Sequence, residues 1–256
     1  LYELNGKVLT TEQTLEVYHK TCERFLADHQ GNYFGTKFIY GPSRNKAVDV
    51  LWEHVLLAKK LRKIFPDFLI GFDLVGHELE GKSLVEFLDP LLALSEGDEP
   101  MAVFYHAGET NWQGMSTDEN LIDALLLNAS RIGHGYALAK HPEAKRLALE
   151  RDIPIEVCPI SNQVLNLISD LRNHPAAILI SEGFPIVVSG DGRGSWEADP
   201  LSHDFYQAFM VLGGGKADLR FLKQLALNSI KYSTLDEYGK SQLMRLWEKR
   251  WQDFIL

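Results

Sequence analysis

Short apolar runs alternate with longer amphipathic stretches along this chain, and that alternation constrains the fold more than any other feature. The runs are predicted to be strands because most of them are apolar and rich in Val, Ile or Phe, which is typical of buried parallel strands. They are Tyr33–Tyr40, Phe68–Val75, Ala102–His106, Arg131–Gly133, Ile153–Val157 and Pro185–Ser189.

The stretches between and after the strands have helical periodicity. Lys46–Phe65 carries an apolar stripe, and Thr117–Leu127 is expected to begin at Ser116 or Thr117 as N-cap. Further helices are predicted at Thr11–His29, Ser83–Leu94, Pro142–Glu150, Leu201–Leu212, Leu219–Asn228 and Lys240–Phe254. The order of the elements implies a parallel sheet with right-handed crossovers, covered at the end by the last helices.

A chain of 256 residues without repeats or linkers favours one α/β domain over residues 1–256. A (β/α)8 TIM-type barrel typically needs about 250 residues. Six strands are too few to close an eight-stranded barrel, so the first strand and most of the second are predicted to be missing from this chain. Leu1–Leu4 could be the tail of an earlier strand. A shorter open fold is the alternative.

Composition excludes some partners. The net charge of −9 argues against nucleic-acid binding, which needs clustered Lys and Arg. No apolar run reaches the roughly 18 residues of a membrane span, and Leu1–Leu4 is not a signal peptide. Two cysteines leave the redox compartment open. The sequon Asn128-Ala129-Ser130 is usable only if the protein is secreted.

Polar residues cluster at or just after five predicted strand ends, which open on one face of a parallel barrel. Taken singly, His106 or His134 fits a structural histidine, and Asp191 fits a helix cap. Together, two histidines, a glutamate and an aspartate indicate metal-assisted hydrolysis. The strings are Gly71–Glu78, Tyr105–Thr110, Gly133–Tyr136, Cys158–Asn162 and Ser189–Asp191.

These strings resemble a known family. The ordered series His106-Ala107-Gly108-Glu109, Gly133-His134-Gly135, Cys158-Pro159-Ile160-Ser161-Asn162 and Ser189-Gly190-Asp191 is similar to the signature of adenosine deaminases. The flanking strings resemble the adenosine deaminase-related growth factor subfamily. They are Phe72–Glu78, Thr110–Gly114 and Leu201–Tyr206.

The resemblance implies roles for individual residues. His106 and Asp191 would be zinc ligands, Glu109 would protonate the purine ring, and His134 would orient or deprotonate the zinc-bound water. The N–H of Gly76 would bind the purine, with His77 also in the substrate site; Ser161 and Asn162 would brace the pocket. Zinc suits this chemistry because it lowers the pKa of bound water to about 7, and a carboxylic acid can supply the ring proton.

The sequence departs from the family pattern at three places. It has no His-x-His, the pair of zinc ligands expected on the first strand, so this chain alone is expected to bind zinc poorly. Gly192 stands where a second aspartate usually contacts the purine, unless Arg193 or Glu197 substitutes for it. Ser43 replaces an expected substrate-contacting histidine. The subfamily's N-terminal extension and inserted domain are also absent.

The first hypothesis is therefore a zinc-dependent enzyme, secreted by family resemblance, that converts adenosine or deoxyadenosine to inosine or deoxyinosine. The second is a secreted growth-factor or receptor-binding protein that has lost full catalytic competence, for which Gly192 is the main support. A third is a barrel amidohydrolase acting on another ring. A homodimer is expected only if the upstream region is present, because the family's dimers use upstream elements.

Overall fold

The computed structural model describes residues 1–97, 100–199 and 201–256, and every paired strand in this part of the chain is parallel. All six predicted strands are confirmed. Four are shorter than predicted, Arg131–Gly133 keeps its length but is shifted by one residue to Ile132–His134, and Ala102–His106 is interrupted at Phe104 and Tyr105. The segments are β1 (Phe38–Tyr40), β2 (Leu69–Phe72), β3 (Ala102–Val103), β4 (His106–Ala107), β5 (Ile132–His134), β6 (Ile155–Val157) and β7 (Ile186–Val188).

The predicted helices are also present; Pro142–Glu150 has the predicted bounds, and the ends of the others differ. The α-helices are α1 (Thr11–Asp28), α2 (Val48–Ile64), α3 (Leu88–Leu92), α4 (Asn120–Leu126), α5 (Pro142–Glu150), α6 (Pro159–Val164), α7 (Ala176–Ser181), α8 (Ser202–Gln207), α9 (Leu219–Lys231) and α10 (Glu237–Ile255). A 3-10 turn, Leu84–Phe87, precedes α3, and a π-helical segment, Ala208–Leu212, follows α8. The short helices α6 and α7 were not predicted. None of the helices in the described part of the chain combines the length and apolarity needed to cross a bilayer.

The strands form an incomplete parallel barrel in two hydrogen-bonded sheets, β1–β2–β3 and β4–β5–β6–β7. The two sheets meet where the third predicted strand is interrupted. Among the described residues β1 and β7 have no second strand partner, so both are outer edges. A cavity of about 660 Å³ lies between them, lined by Ile39, Ile70 and Val188 and by the ion pair of Arg131 with Glu156.

Burial follows the alternation seen in the sequence. Residues of the strands and of the inward helix faces form one apolar core, with Leu51, Leu69 and Phe72 fully buried. Of the last two helices, α9 packs on β7, where Asn228 Nδ2 donates to the Ile186 carbonyl at 2.8 Å. Helix α10 packs on α9 and has no buried residue, although its Leu243 lines the cavity between β1 and β7.

Two local predictions were wrong. Helix α4 begins after Glu119, which makes no side-chain cap bond, because residues 117–120 form a turn in which the Asn120 N–H donates to the Thr117 carbonyl. The start of the chain is not an extended strand. It folds back on itself through an isolated antiparallel bridge between Tyr2 and Val8.

Candidate active site

Three side chains from three strand ends converge at the carboxyl edge of the sheet. Glu109, His134 and Asp191 each offer a ligand atom, and these atoms lie within 4.8 Å of one another. His134 Nε2 is 3.3 Å from Glu109 Oε1. Two carboxylates and an imidazole are donors that zinc accepts, so the set fits such a metal.

Glycines at two points create the space for this cluster. Gly108 has φ +75°, which turns the chain after β4 and directs Glu109 back toward the strand end. On β5, a Cβ at Gly133 would lie 2.8 Å from His106 Nδ1, so only glycine leaves room for that ring. The glycines of the two sequence strings therefore shape the site rather than merely ending strands.

His106 lies beside the cluster, with its ring 5.1 Å from that of His134 between centroids. Asp73 holds it: Oδ2 is 2.8 Å from His106 Nδ1, and Oδ1 accepts the His106 main-chain N–H at 3.0 Å. A carboxylate on one ring nitrogen is the usual arrangement for a metal-binding histidine, because it orients the ring and fixes its tautomer. The sequence predicted His106 and Asp191 as metal ligands. The compact group of possible ligands contains Asp191 together with His134 and Glu109, and it leaves His106 out.

A chain of hydrogen bonds defines which nitrogen of His134 carries its hydrogen. The Ala176 N–H donates to His174 Nδ1 at 3.1 Å, so His174 Nε2 must be the donor to Asn162 Oδ1 at 2.9 Å. The Asn162 amide nitrogen therefore faces His134 Nδ1, at 3.4 Å. A neutral His134 consequently carries its hydrogen on Nε2, the nitrogen that faces Glu109.

Backbone strain coincides with the same residues. His134 (φ +59°) and Asp191 (φ +44°) are both in the left-handed region, which non-glycine residues rarely adopt. Such conformations persist only where surrounding contacts hold them, and they concentrate at functional sites. Asp191 is held by the hydroxyl of Ser161, which donates to its Oδ2 at 2.6 Å.

Burial and neighbouring charges shift the acid–base properties of the cluster. Burial is the main factor that raises the pKa of Glu109 to about 7, helped by the charge of Asp191 and opposed by that of His106. Burial and the neighbouring His106 lower the pKa of His134. Burial also tends to lower the pKa of His106, but the Asp73 carboxylate outweighs it and raises that pKa to about 9.

The cluster opens into a cavity of about 660 Å³. Gly76 and His77, predicted to contact substrate, line this cavity together with Trp112. Gly192 does not line it, and a Cβ there would meet the Trp196 ring at 3.2 Å. Arg193 and Glu197, the suggested substitutes for the missing carboxylate, are outside the lining as well. A purine contact at position 192 stays a prediction.

The chain is similar to known proteins of one family. The family model for adenosine deaminase matches residues 22–249. The chain belongs to the adenosine deaminase family. Over its whole length it is 51% identical to adenosine deaminase 2 of Sus scrofa and 50% identical to that of Homo sapiens, and it spans 50% of each of these relatives. It is 48% identical to an adenosine deaminase of Phlebotomus duboscqi, spanning 49% of it.

Solved structures of distant sequence share the fold. An adenine deaminase from Arthrobacter aurescens superposes with a TM-score of 0.77 at 21% identity, over 94% of this chain and 68% of the other. An amidohydrolase from Burkhoderia ambifaria superposes with a TM-score of 0.78 at 21% identity, over 95% of this chain and 64% of the other. These likenesses support the incomplete barrel and say nothing about substrate.

Sequence reasoning missed the residues that hold the site residues in place. Asp73, Asn162 and His174 contact the site histidines or each other, yet only Asn162 was assigned a bracing role. Asp73 offered a signal, since it occurs at a strand end within Gly71–Glu78. His174 offered none, because it follows no strand and belongs to no recognised string.

Proposed function

We propose that the protein carrying this chain is a zinc-dependent adenosine deaminase that hydrolyses adenosine or deoxyadenosine to inosine or deoxyinosine and ammonia. The observation that carries the proposal is the convergence of Glu109, His134 and Asp191 within 4.8 Å at the mouth of a cavity, in a member of this family. The amidohydrolase from Burkhoderia ambifaria is described with bound Zn, which supports this choice of metal.

His106 and Asp191 are the residues of this chain proposed to hold the zinc. When bound, zinc supplies a water-derived nucleophile at neutral pH. The Asp73 carboxylate supports the role of His106, because it orients the ring from the opposite nitrogen. Further ligands are expected from an upstream His-x-His strand, since a catalytic zinc normally has at least three protein ligands.

Glu109 is the proposed proton donor to the purine nitrogen next to the attacked carbon. Its raised pKa of about 7 keeps a large fraction of the carboxyl protonated at neutral pH, as a general acid requires. His134 presents Nε2–H beside Glu109, which suits orientation of the attacking water better than removal of its proton. Gly76 and His77 are proposed to bind the nucleoside, because both line the cavity.

Glu109→Gln tests this function. In a form of the protein extended upstream of Leu1, it is expected to lower kcat about 10²–10⁴-fold while zinc content and folding stay unchanged. Glu119→Gln, at an exposed position, serves as the control and should leave kcat unaffected. An unchanged kcat for Glu109→Gln would show that Glu109 is not the proton donor. Steady-state deamination of adenosine provides the measurement.

A secreted protein with growth-factor activity and weakened catalysis is the second candidate. Gly192 favours it, because the family's second aspartate is missing and the glycine lies outside the cavity lining. The naming of relatives as adenosine deaminase 2 is compatible with secretion. A homodimer is proposed only for a form that contains the upstream region.

A further inference from the structure

A buried ion pair lies directly beneath the segment that carries His106 and Glu109. Arg44 is fully buried and Glu78 is 2% exposed, and Arg44 Nη1 is 3.9 Å from Glu78 Oε1. Neither side chain belongs to the group formed by Glu109, His134 and Asp191. Buried charges are costly unless they are paired and hydrogen-bonded, so this pair requires an explanation.

Each member of the pair binds groups of complementary polarity in the same segment. Glu78 Oε1 accepts the Gly108 N–H at 3.0 Å, and Oε2 accepts the Glu109 N–H at 2.5 Å. Arg44 Nη2 donates to the carbonyl of His106 at 2.6 Å. The anion therefore holds the amides at one end of the turn, and the cation holds the carbonyl at the other.

Neighbouring elements hold the pair itself. Arg44 Nη2 also donates to the Leu74 carbonyl at 3.0 Å. Asn120, at the start of α4, donates to Glu78 Oε1 at 2.7 Å and accepts the Leu84 N–H at 2.7 Å. The pair thus joins the loops after β1 and β2 to the turn after β4.

We propose that Glu78, braced by Arg44, is a positioning residue that fixes the turn from His106 to Glu109 and so places the acid Glu109. The inference rests on the proposed deaminase function. Glu78 borders the same cavity, but both of its carboxylate oxygens are engaged by the two turn amides and by Asn120, so it acts through the backbone. Because a misplacement of about 1 Å can reduce turnover about 10²-fold, loss of this support should affect kcat more than KM.

Glu78→Gln keeps the shape of the side chain but removes its charge, and its amide group turns a donor toward one of the two N–H groups. In the upstream-extended protein we expect kcat to fall roughly 10²-fold, with KM within about twofold of the parent. Glu80→Gln is the matched control, because Glu80 is exposed two residues away. It should change neither constant.

A double variant separates positioning from general structural damage. If Glu78 acts through Glu109, adding Glu78→Gln to Glu109→Gln should produce little further loss of kcat, since the acid is already absent. An equal further loss in the double variant would overturn the proposal. So would a Glu78→Gln single variant that keeps its kcat. No effect of Glu109→Gln alone would instead count against the proposed function.

Amide hydrogen exchange tests the same contacts without turnover. The Gly108 and Glu109 amides should exchange roughly tenfold faster or more in Glu78→Gln than in the parent, because each loses a bond to a charged acceptor. Unchanged exchange at both amides would refute the proposal even if the enzyme proved inactive. If Glu78→Gln does not fold, Glu78→Asp keeps the charge but is too short to reach both amides. Glu78→Asp should show the same faster exchange at both amides, and exchange at the parent's rate in this variant would overturn the proposal.

Discussion

At the scale of single residues, the site depends on side chains with unusual surroundings. His174 is 3% exposed, and both of its ring nitrogens are used: Nδ1 accepts the Ala176 N–H and Nε2 donates to Asn162. Protonation of Nδ1 would break the first of these bonds. Burial accordingly lowers the pKa of His174 to about 4, from 6.5.

This histidine predicts a specific pH dependence of stability. Its folded pKa is below the unfolded one, so its contribution is complete above pH 6.5 and is lost as pH falls toward 4. The loss amounts to about 3 kcal/mol in total, at about 1.4 kcal/mol per pH unit or less. Urea unfolding of the parent and of His174→Gln should show the gap in their free energies of unfolding narrowing between pH 7 and pH 4.5. Parallel pH dependences would contradict this assignment.

Gly192 predicts an outcome that separates the two functional candidates. If the missing carboxylate limits catalysis, Gly192→Asp in the upstream-extended protein should gain a contact worth about 1.5–3 kcal/mol, or roughly 10- to 150-fold in adenosine kcat/KM. The gain should vanish with 7-deazaadenosine, which lacks the contacted nitrogen. The new side chain must first pass the Trp196 ring, 3.2 Å from its Cβ. An absent gain would favour recognition over turnover, and an equal gain with both substrates would refute the nitrogen contact.

At the scale of secondary-structure elements, close packing between neighbouring strands determines where the sheet tolerates side chains. Gly71 on β2 faces Phe104, which stands in the interruption between β3 and β4. A Cβ at Gly71 would lie 2.3 Å from the Phe104 ring and 2.8 Å from the Ala102 carbonyl oxygen. The glycine is therefore required by the approach of the next strand.

Gly71→Ala should consequently destabilise the protein by about 1–3 kcal/mol, the usual cost of overpacking a core. Gly215→Ala is the matched control, since nothing lies within 4 Å of the position its Cβ would take. Chemical denaturation of both variants gives the comparison. Similar free energies of unfolding for the two would show that Phe104 moves aside without cost.

At the scale of the whole molecule, the described strands form an incomplete barrel, and the proposed ligand set is smaller than a catalytic zinc normally has. The chain spans about half the length of the adenosine deaminase 2 relatives, and β1 and β7 are outer strands within the described residues. A site that relies on His106 and Asp191 has two of the expected protein ligands. Closure of the barrel and completion of the metal site are thus expected to come from the same upstream strand.

Metal analysis tests this expectation. A form extended upstream of Leu1 with a His-x-His strand should retain about one zinc per chain after purification in zinc-sufficient buffer. The 256-residue chain should retain much less under the same treatment. An extended protein free of zinc would remove the enzyme hypothesis, and equal retention by the two forms would show that the upstream strand supplies no ligands.

The sequence by itself determined the order of the six strands and of the longer helices, and the strand ends at which the candidate site residues are located. These follow from local patterns, because apolar runs and amphipathic periods are contained within short segments. Exact strand ends did not follow, since backbone hydrogen bonds with distant partners decide them. The start of α4 did not follow either, because the turn at residues 117–120 precedes it.

Only the tertiary structure decided how the site residues are held. Asp73 contacts a histidine 33 positions later, and Glu78 contacts amides 30 and 31 positions later. Which ring nitrogen of His134 carries the hydrogen depends on His174, because Asn162 bonds to both histidines. Each of these contacts is set by the distance and direction between separate loops, and a single sequence carries no local pattern that specifies either.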